Sequence, residues 1–146
     1  MLPNDAATLP GLTHFGLVVE DMDKAAKAMS EMWGIGSWTV IDEYEPTEDI
    51  LLAGGLFKHK LAFTDFGPTQ IELIQPLDTR GIWYEFLKTN GEGLHHLCFT
   101  VPDWDERVAK AKSLGARMTI GAVFQGKRWC YFENAPGGLI IEYMEQ

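Results

Sequence analysis

The sequence contains few cationic side chains and few cysteines, and each shortage excludes a class of protein. Lys and Arg number 12 against 21 Asp and Glu, which gives a formal net charge of −9 and a pI of about 4.8. A surface of that sign repels phosphate backbones, so nucleic acid is not an expected partner. The two cysteines, Cys98 and Cys130, have no CxxC spacing and lie in strand-like segments, which predicts reduced, buried thiols.

Long apolar runs are also missing. No stretch is long enough to cross a bilayer, and residues 1–10 have neither the positive start nor the apolar core of a signal peptide. The sequence therefore predicts no membrane partner and a cytoplasmic location. An apolar fraction of 46% with 12% aromatic residues is typical of a well-packed globular protein, and 146 residues predict one domain.

What the sequence does contain is an internal repeat. The segment Gly11–Asp23 aligns without gaps with Gly93–Asp105 at an offset of 82 residues, and Gly, Leu, His, Val and two Asp coincide. A second pair of similar segments, QIELIQ at 70–75 and IIEYME at 140–145, ends each half. Similarity at two places along the chain predicts two copies of one supersecondary unit.

Each half has the pattern of a βαβββ module. A strand rich in Val, Leu and Phe, at 12–19 or 94–101, precedes an Asp that can cap a helix. These residues are Asp21 and Asp103, and Asp103 is followed three residues later by Glu106, as in a capping box. After each helix come three short strands, at about 37–43, 59–66 and 69–75 in the first half and at about 117–123, 127–133 and 138–144 in the second.

We therefore expect an α+β fold in which two tandem βαβββ modules form a curved mixed sheet around a metal site. Module one spans about 11–77 and module two about 93–146 of a single domain, 1–146, and a linking helix lies at about 80–90. The acidic stretch 42–55 predicts a loop.

Four titratable residues occupy equivalent places in the two modules. Because side chains alternate across a strand, His14 and His96 lie opposite the apolar face that would pack under the helices, whereas His95 falls on the helix side and is expected to be structural. Glu72 and Glu142 lie within apolar strands, where a carboxylate is costly to bury without a cation or a strong donor. Packing about a pseudo-twofold axis would bring the two His and the two Glu to one point.

Two imidazoles and two carboxylates form a borderline nitrogen and oxygen ligand set. It predicts a divalent metal, one of Co²⁺, Ni²⁺, Zn²⁺, Mn²⁺ or Fe²⁺, six-coordinate with two positions left for water or substrate. Gln70 is a possible substitute for Glu72, because it lies two residues earlier on the same face. The alternative, in which each is an isolated core or edge residue, needs four separate explanations for one symmetric pattern.

The segments that carry these residues also resemble a known family. LTHFGLVV at 12–19, IELIQPL at 71–77, GLHHLCFTV at 93–101 and GGLIIE at 137–142 resemble the vicinal oxygen chelate superfamily, and are most similar to its methylmalonyl-CoA epimerase branch. That superfamily also includes glyoxalase I, extradiol dioxygenases and bleomycin-resistance proteins. The resemblance implies a homodimer and the same four metal ligands: His14, Glu72, His96 and Glu142.

The resemblance further implies an isomerase, epimerase or lyase that chelates a small oxo acid or acyl thioester and stabilises its enolate. Glu142 would be ligand and base in turn, opposed by an acid from the loop after the second strand. Glu43 is the preferred candidate for that acid, with Glu45 and Glu48 as alternatives.

The chain departs from the epimerase pattern, and this leaves the substrate carrier open. Epimerases have a His-Pro-Lys run before the last strand, where this chain has FENAP at 132–136, which weakens the case for CoA. Glutathione, as in a glyoxalase, would need basic residues at the rim, for which Arg80, Lys127 and Arg128 are candidates.

Two other functions are open at this point. One is an Fe(II)-dependent dioxygenase with two His and one Glu, which a fourth protein ligand disfavours. The other is a metal-free binding or resistance protein with a pocket lined by aromatic side chains such as Trp38, Trp83, Phe124 and Trp129.

Overall fold

A computed structural model of the chain describes residues 9–45 and 57–146. The first module consists of β1 His14–Val18, α1 Met22–Trp33, β2 Thr39–Tyr44, β3 His59–Phe66 and β4 Thr69–Pro76. The linking helix is α2 Ile82–Asn90. The second module consists of β5 Gly93–Val101, α3 Trp104–Ser113, β6 Arg117–Phe124, β7 Lys127–Glu133 and β8 Ile141–Glu145.

The strands form one mixed sheet of eight in the order β2-β3-β4-β1-β5-β8-β7-β6. β1 and β5 are antiparallel neighbours at the centre, and each runs parallel to the last strand of its own module. From the centre outward, both halves therefore have the order first, fourth, third, second strand. This confirms the α+β fold of two βαβββ modules in one mixed sheet. The extent of the single domain, 1–146, stays a prediction because it includes residues outside the described ranges.

The helices of the two modules cover the apolar face predicted from side-chain alternation. Phe15 and Leu17 of β1 pack in one cluster with Met22 of α1, and Val101 of β5 packs in another with Val108 of α3. The linking helix α2 belongs to a third cluster, in which its Trp83 packs with Val18 of β1 and Tyr131 of β7. The face that carries His14 and His96 is thus left free of α1 and α3.

The two module helices begin differently. The Asp21 carboxylate accepts a hydrogen bond from the Lys24 N–H at 3.0 Å, so Asp21 caps α1 as predicted. The capping role predicted for Asp103 was wrong, since its side chain makes no such bond. A charged donor one turn later competes successfully for the carboxylate: Arg107 Nε lies 2.6 Å from Asp103 Oδ1.

Part of the predicted loop at 42–55 is strand, because β2 continues to Tyr44. The rest of it from residue 46, including Glu48, lies outside the described residues. Of the described helices, none has the length and apolar character that a membrane span requires.

Candidate metal centre

The four predicted ligands come from the four central strands of the sheet and are all buried. The register of the strands arranges them in two rows of paired residues that run across the sheet. One row pairs Gly16 with Glu72 on one side and with His96 on the other. The second row pairs Cys98 with His14 and with Glu142. Each module therefore contributes one ligand to each row, as the repeat predicts.

The ligand atoms of the four side chains meet at one point. His14 Nε2 lies 3.2 Å from His96 Nε2, 3.2 Å from Glu72 Oε2 and 3.1 Å from Glu142 Oε2. His96 Nε2 lies 3.2 Å from Glu72 Oε2 and 2.9 Å from Glu142 Oε2. One donor atom from each residue lies within 4.8 Å of all the others.

These distances are short enough for one ion to contact all four donors. With bonds of about 2.1 Å, adjacent donors of an octahedron are about 3.0 Å apart and opposite donors about 4.2 Å apart. Five donor pairs lie at 2.9 to 3.2 Å, and the sixth, formed by the two carboxylates, lies within 4.8 Å. The five short separations match neighbouring corners of one coordination sphere. The donor set thus suits a single divalent ion held by all four side chains.

Without an ion, the same contacts act as buried ion pairs. Burial lowers the pKa of His14, but the charge of Glu72 and the hydrogen bonds with Cys98, Glu142 and Glu72 together outweigh it, so this pKa lies well above its ordinary value. Glu142 raises the pKa of His96 in the same way against burial. Burial raises the pKa values of Glu72 and Glu142, yet the two histidines hold both below the ordinary value. An incoming ion must therefore displace protons from the imidazoles.

The absence of a side chain at Gly16 makes room for the His96 ring on the neighbouring strand. A Cβ atom added to Gly16 would lie 2.0 Å from His96 Cε1 and 2.5 Å from both ring nitrogens. The imidazole thus occupies the space that the side chain of any other residue type at position 16 would need. Glycine at this position is a condition for the position of the His96 ring.

His95 does not lie where strict alternation predicts. The register between β1 and β5 shifts after Gly16, which pairs with His96 while Leu17 pairs with Leu94, so His95 is an extra residue in a bulge. Its ring contacts those of His96, Phe86 and Tyr131. The prediction of a helix-side position for His95 was wrong, because a bulge turns two consecutive side chains to one side.

This bulge gives His95 a place beside the centre. Its Nδ1 lies 3.0 Å from Nδ1 of His96. Burial, reinforced by the charge of His96, lowers the pKa of His95 to about 3, so its ring is neutral and its Nδ1 can accept the Nδ1–H of His96. That bond leaves Nε2 of His96 directed at the other ligand atoms.

A cavity of about 520 Å³ adjoins the centre, and His14, Glu72 and Glu142 lie in its wall. Six aromatic side chains form much of the remaining wall: Tyr44, Phe63, Trp83, Phe124, Trp129 and Tyr131. Trp38, also predicted for such a pocket, packs instead in the cluster beneath α1. Gln70 lines the cavity, but its amide donates to Asp65 Oδ1 at 3.0 Å, and Glu72 is the residue that joins the cluster.

The sequence reasoning missed His59, a buried residue of β3 that lines the same cavity. Its Nδ1 lies 2.7 Å from the carbonyl oxygen of Phe57, and its ring centroid lies 4.3 Å from that of Trp83. Burial lowers the pKa of His59, so Nδ1–H donates and Nε2 is left as an acceptor. Side-chain alternation could have identified His59, because His59 lies on the same face of β3 as Phe63, and Phe63 pairs with Glu72 of β4.

The predicted proton-transfer acid Glu43 lies in β2 with 59% of its side chain exposed and its Oε1 3.1 Å from Lys58 Nζ. It is not among the residues that line the cavity. The register of β2 with β3 is irregular between Ile41 and Tyr44, and Tyr44 takes the cavity position that alternation would give to Glu43. Glu45 is exposed at the end of the described segment. The catalytic role of Glu43 stays a prediction.

Comparison with known proteins identifies the family. The profile of the glyoxalase/bleomycin resistance protein/dioxygenase superfamily matches residues 13–132, and the chain belongs to this superfamily. This confirms the vicinal oxygen chelate resemblance seen in the sequence.

Individual relatives are methylmalonyl-CoA epimerases. The mitochondrial enzyme of Homo sapiens is 26% identical over 141 residues, which are 92% of this chain and 73% of that protein. A variant of the Streptomyces coelicolor epimerase in complex with 2-nitronate-propionyl-CoA superposes with a TM-score of 0.73 at 21% identity, over 95% of this chain and 96% of that one. The Mycobacterium tuberculosis epimerase gives a TM-score of 0.67 at 25% identity, over 99% and 92%.

Proposed function

We propose that the chain is a divalent-metal-dependent isomerase, epimerase or lyase that removes a proton from a carbon next to a carbonyl or carboxylate group. The observation that carries the proposal is the meeting of four buried donors at one point, beside a cavity of ligand size. His14, Glu72, His96 and Glu142 would hold the ion, which would be one of Co²⁺, Ni²⁺, Zn²⁺, Mn²⁺ or Fe²⁺. When bound, such an ion polarises a carbonyl oxygen and stabilises the negative charge that develops on it.

Glu142 is proposed as the base. It is buried at the centre and also lines the cavity, so one of its oxygens can take a proton from a carbon held there. The nearby histidines hold its pKa low, which keeps it ionised before the proton transfer.

An epimerase needs a second group on the opposite face of the carbon, and two candidates are proposed. Glu43 is the sequence-based candidate, and its exposed position means that it would have to turn into the cavity. His59 already lines the cavity with Nε2 available as an acceptor, and among the described residues nothing hydrogen-bonds to that atom. Replacement of each residue in turn distinguishes them.

The four-membered donor set also separates this proposal from a dioxygenase. An iron triad needs two His and one carboxylate, with further positions for oxygen and substrate. Here a second carboxylate lies 3.2 Å from each imidazole, which favours chelation of two substrate oxygens over oxygen activation.

The test is hydrogen–deuterium exchange at the activated carbon, followed by NMR. Protein stripped with a chelator is reloaded with each divalent ion under argon and offered free 2-oxo acids, malonyl acids and 2-methyl-branched thioesters. We expect exchange only with loaded protein, and none with Glu142→Gln, which keeps the shape of the side chain but cannot take the proton. Equal exchange with and without chelator would contradict the proposal.

Metal binding itself is checked by elemental analysis of a His14→Ala/His96→Ala variant. We expect the metal content to be lost, since two of four donors are gone. Trp38→Phe, outside the cavity, is the matched control and should keep its metal. Unchanged metal content in the double variant would remove the ion from the proposal.

A further inference from the structure

We propose that the cavity accepts a small acid with an aromatic or bulky apolar group, and that the substrate carries no CoA. This inference rests on the proposed function, because it names the substrate class for that chemistry. It departs from the activity of the relatives, the methylmalonyl-CoA epimerases, whose substrate has a methyl branch and a CoA carrier.

The cavity wall is suited to a ring. Tyr44 and Phe124 meet edge to face with centroids 5.1 Å apart, and Trp129 and Tyr131 lie 5.0 Å apart. These residues come from β2, β6 and β7, so both modules contribute aromatic faces to one space. Aromatic groups prefer such edge and offset contacts and bury a large apolar area in them.

The aromatic wall begins directly at the centre. The ring of Phe63 lies 6.2 Å from that of His14, and Tyr131 lies 4.8 Å from His96. A substituent on the reacting carbon would therefore meet rings at once. A methyl group would contact little of this wall, whereas a phenyl or branched alkyl group would contact several of its rings.

Cations that could hold the phosphates of CoA are scarce around this cavity. Lys127 is the one Lys or Arg among the described residues that line it, and its Nζ donates to the carbonyl of Gln146 at 2.6 Å. Arg128, next in the chain, is held between Asp105 and Glu145 and lies over the ring of Trp104. Its charge is thereby neutralised.

The sequence outside the described ranges does not supply the missing charge. The stretch 46–56 contains no Lys or Arg and two acids, Glu48 and Asp49. With a net charge of −9, the field around the molecule opposes a polyanionic carrier. A small acid needs no such cluster of cations, because the ion proposed at the centre would bind its oxygens.

The experiment is calorimetric titration of the metal-loaded protein with four probes: pyruvate, phenylpyruvate, methylmalonate and methylmalonyl-CoA. We expect phenylpyruvate to bind about tenfold or more tighter than pyruvate, which is the gain from burying a ring. We expect methylmalonyl-CoA to bind no tighter than methylmalonate. Preference for the thioester by tenfold, or equal binding of the two oxo acids, would overturn the inference.

Two variants identify the structural cause. Phe124→Leu, which keeps an apolar side chain in a half-buried position, should reduce the preference for phenylpyruvate several-fold, whereas Trp38→Phe should not change it. Gln125→Lys adds a cation to the cavity wall and should strengthen binding of methylmalonyl-CoA in a salt-dependent way. An unchanged thioester affinity in Gln125→Lys would contradict the role given to charge.

Binding and turnover separate this inference from the proposed function. If the thioester exchanges its proton on the loaded protein and binds more tightly than the free acid, the inference fails and the proposed function stands. If phenylpyruvate binds preferentially but no probe exchanges a proton, the proposed function fails and the inference about the cavity stands.

Discussion

The two modules place equivalent histidines at one centre, but the surroundings of the two rings differ. The position two residues after His14 is Gly16, and its equivalent two residues after His96 is Cys98. Gly16 faces His96 across the strand pair, and the ring fills the space of its missing side chain. Cys98 faces His14, and there a thiol is accommodated. Repeat-equivalent side chains therefore do not require equivalent packing around them.

The residues that precede the two histidines differ as well. Thr13 ties β1 to β5, because its hydroxyl donates to Thr100 Oγ1 and accepts the Thr100 N–H, both at 2.8 Å. Its equivalent, His95, is the bulged residue that contacts His96. The first module thus uses this position to join strands and the second uses it to orient the ring of His96. Three comparisons between the modules test this difference.

The largest effect is expected at the glycine. Gly16→Ala would place a Cβ 2.0 Å from His96 Cε1, so the ring must leave its position. We expect metal affinity to fall by about 100-fold or more, the upper end of what loss of ligand orientation costs. Competition with a fluorescent chelator measures it. Cys98→Ala, which only removes a thiol, should change the affinity by less than about tenfold; equal losses in both variants would contradict the asymmetry.

An intermediate effect is expected at the residue before each histidine. His95→Phe keeps a ring in the bulge but removes the acceptor for His96, and we expect metal affinity to fall by about 10- to 100-fold with the fold intact. His95→Gln should recover part of the loss, because its amide oxygen can accept a hydrogen bond. Thr13→Val should leave metal affinity unchanged and lower the free energy of unfolding by about 1 kcal/mol. A larger metal defect in Thr13→Val than in His95→Phe would reverse the assignment.

The smallest effect is expected for pH acting on the metal-free protein. The pKa values of His14 and His96 are raised above the ordinary 6.5, so their contribution to stability is complete below about pH 6.5 and is lost as pH rises through the raised values. The carboxyl pKa values are depressed below 4.5, so the contribution of Glu72 and Glu142 is present above that pH and is lost as pH falls through the depressed values.

Thermal unfolding of the metal-free protein should therefore give the cluster its greatest contribution between about pH 4.5 and 6.5, with a decline of a few degrees toward pH 9. Metal-loaded protein should show the opposite slope above pH 6.5, because protons no longer compete with the ion. NMR titration of the two imidazoles compares the modules directly. A metal-free midpoint that does not change between pH 6 and 9 would contradict the raised histidine pKa values.

The sequence predicted the fold and the meeting of four side chains because both follow from duplication. A repeat that preserves strand order brings residues such as Glu72 and Glu142 to equivalent places, and no detail of packing is needed for that. The positions of His95 and Glu43 differ from those that alternation gives for a different reason, whereas His59 was overlooked although strand alternation indicates its face. Irregular pairing in β5 and β2 changes which side chains face the cavity. Such an irregularity depends on how two distant strands pair, and the alternation within one strand carries no information about that pairing.

The capping of α3 shows the same limit on a smaller scale. Asp103 has the right residue type and position for a cap, yet Arg107 lies within reach of its carboxylate. Two favourable local interactions compete there, and the sequence lists both without ranking them. At Asp21 no such competitor makes a hydrogen bond among the described residues, and the capping prediction was correct.

The central pairing of β1 with β5 has a consequence for the newly made chain. Each half of the molecule contributes only one imidazole and one carboxylate to the centre, so a nascent first half leaving the ribosome can offer an ion no more than half of the four donors. Tight capture must wait until the second half has been synthesised and has docked. Ion uptake would then report the completion of assembly, and a cell short of the ion would accumulate chains whose halves separate more easily.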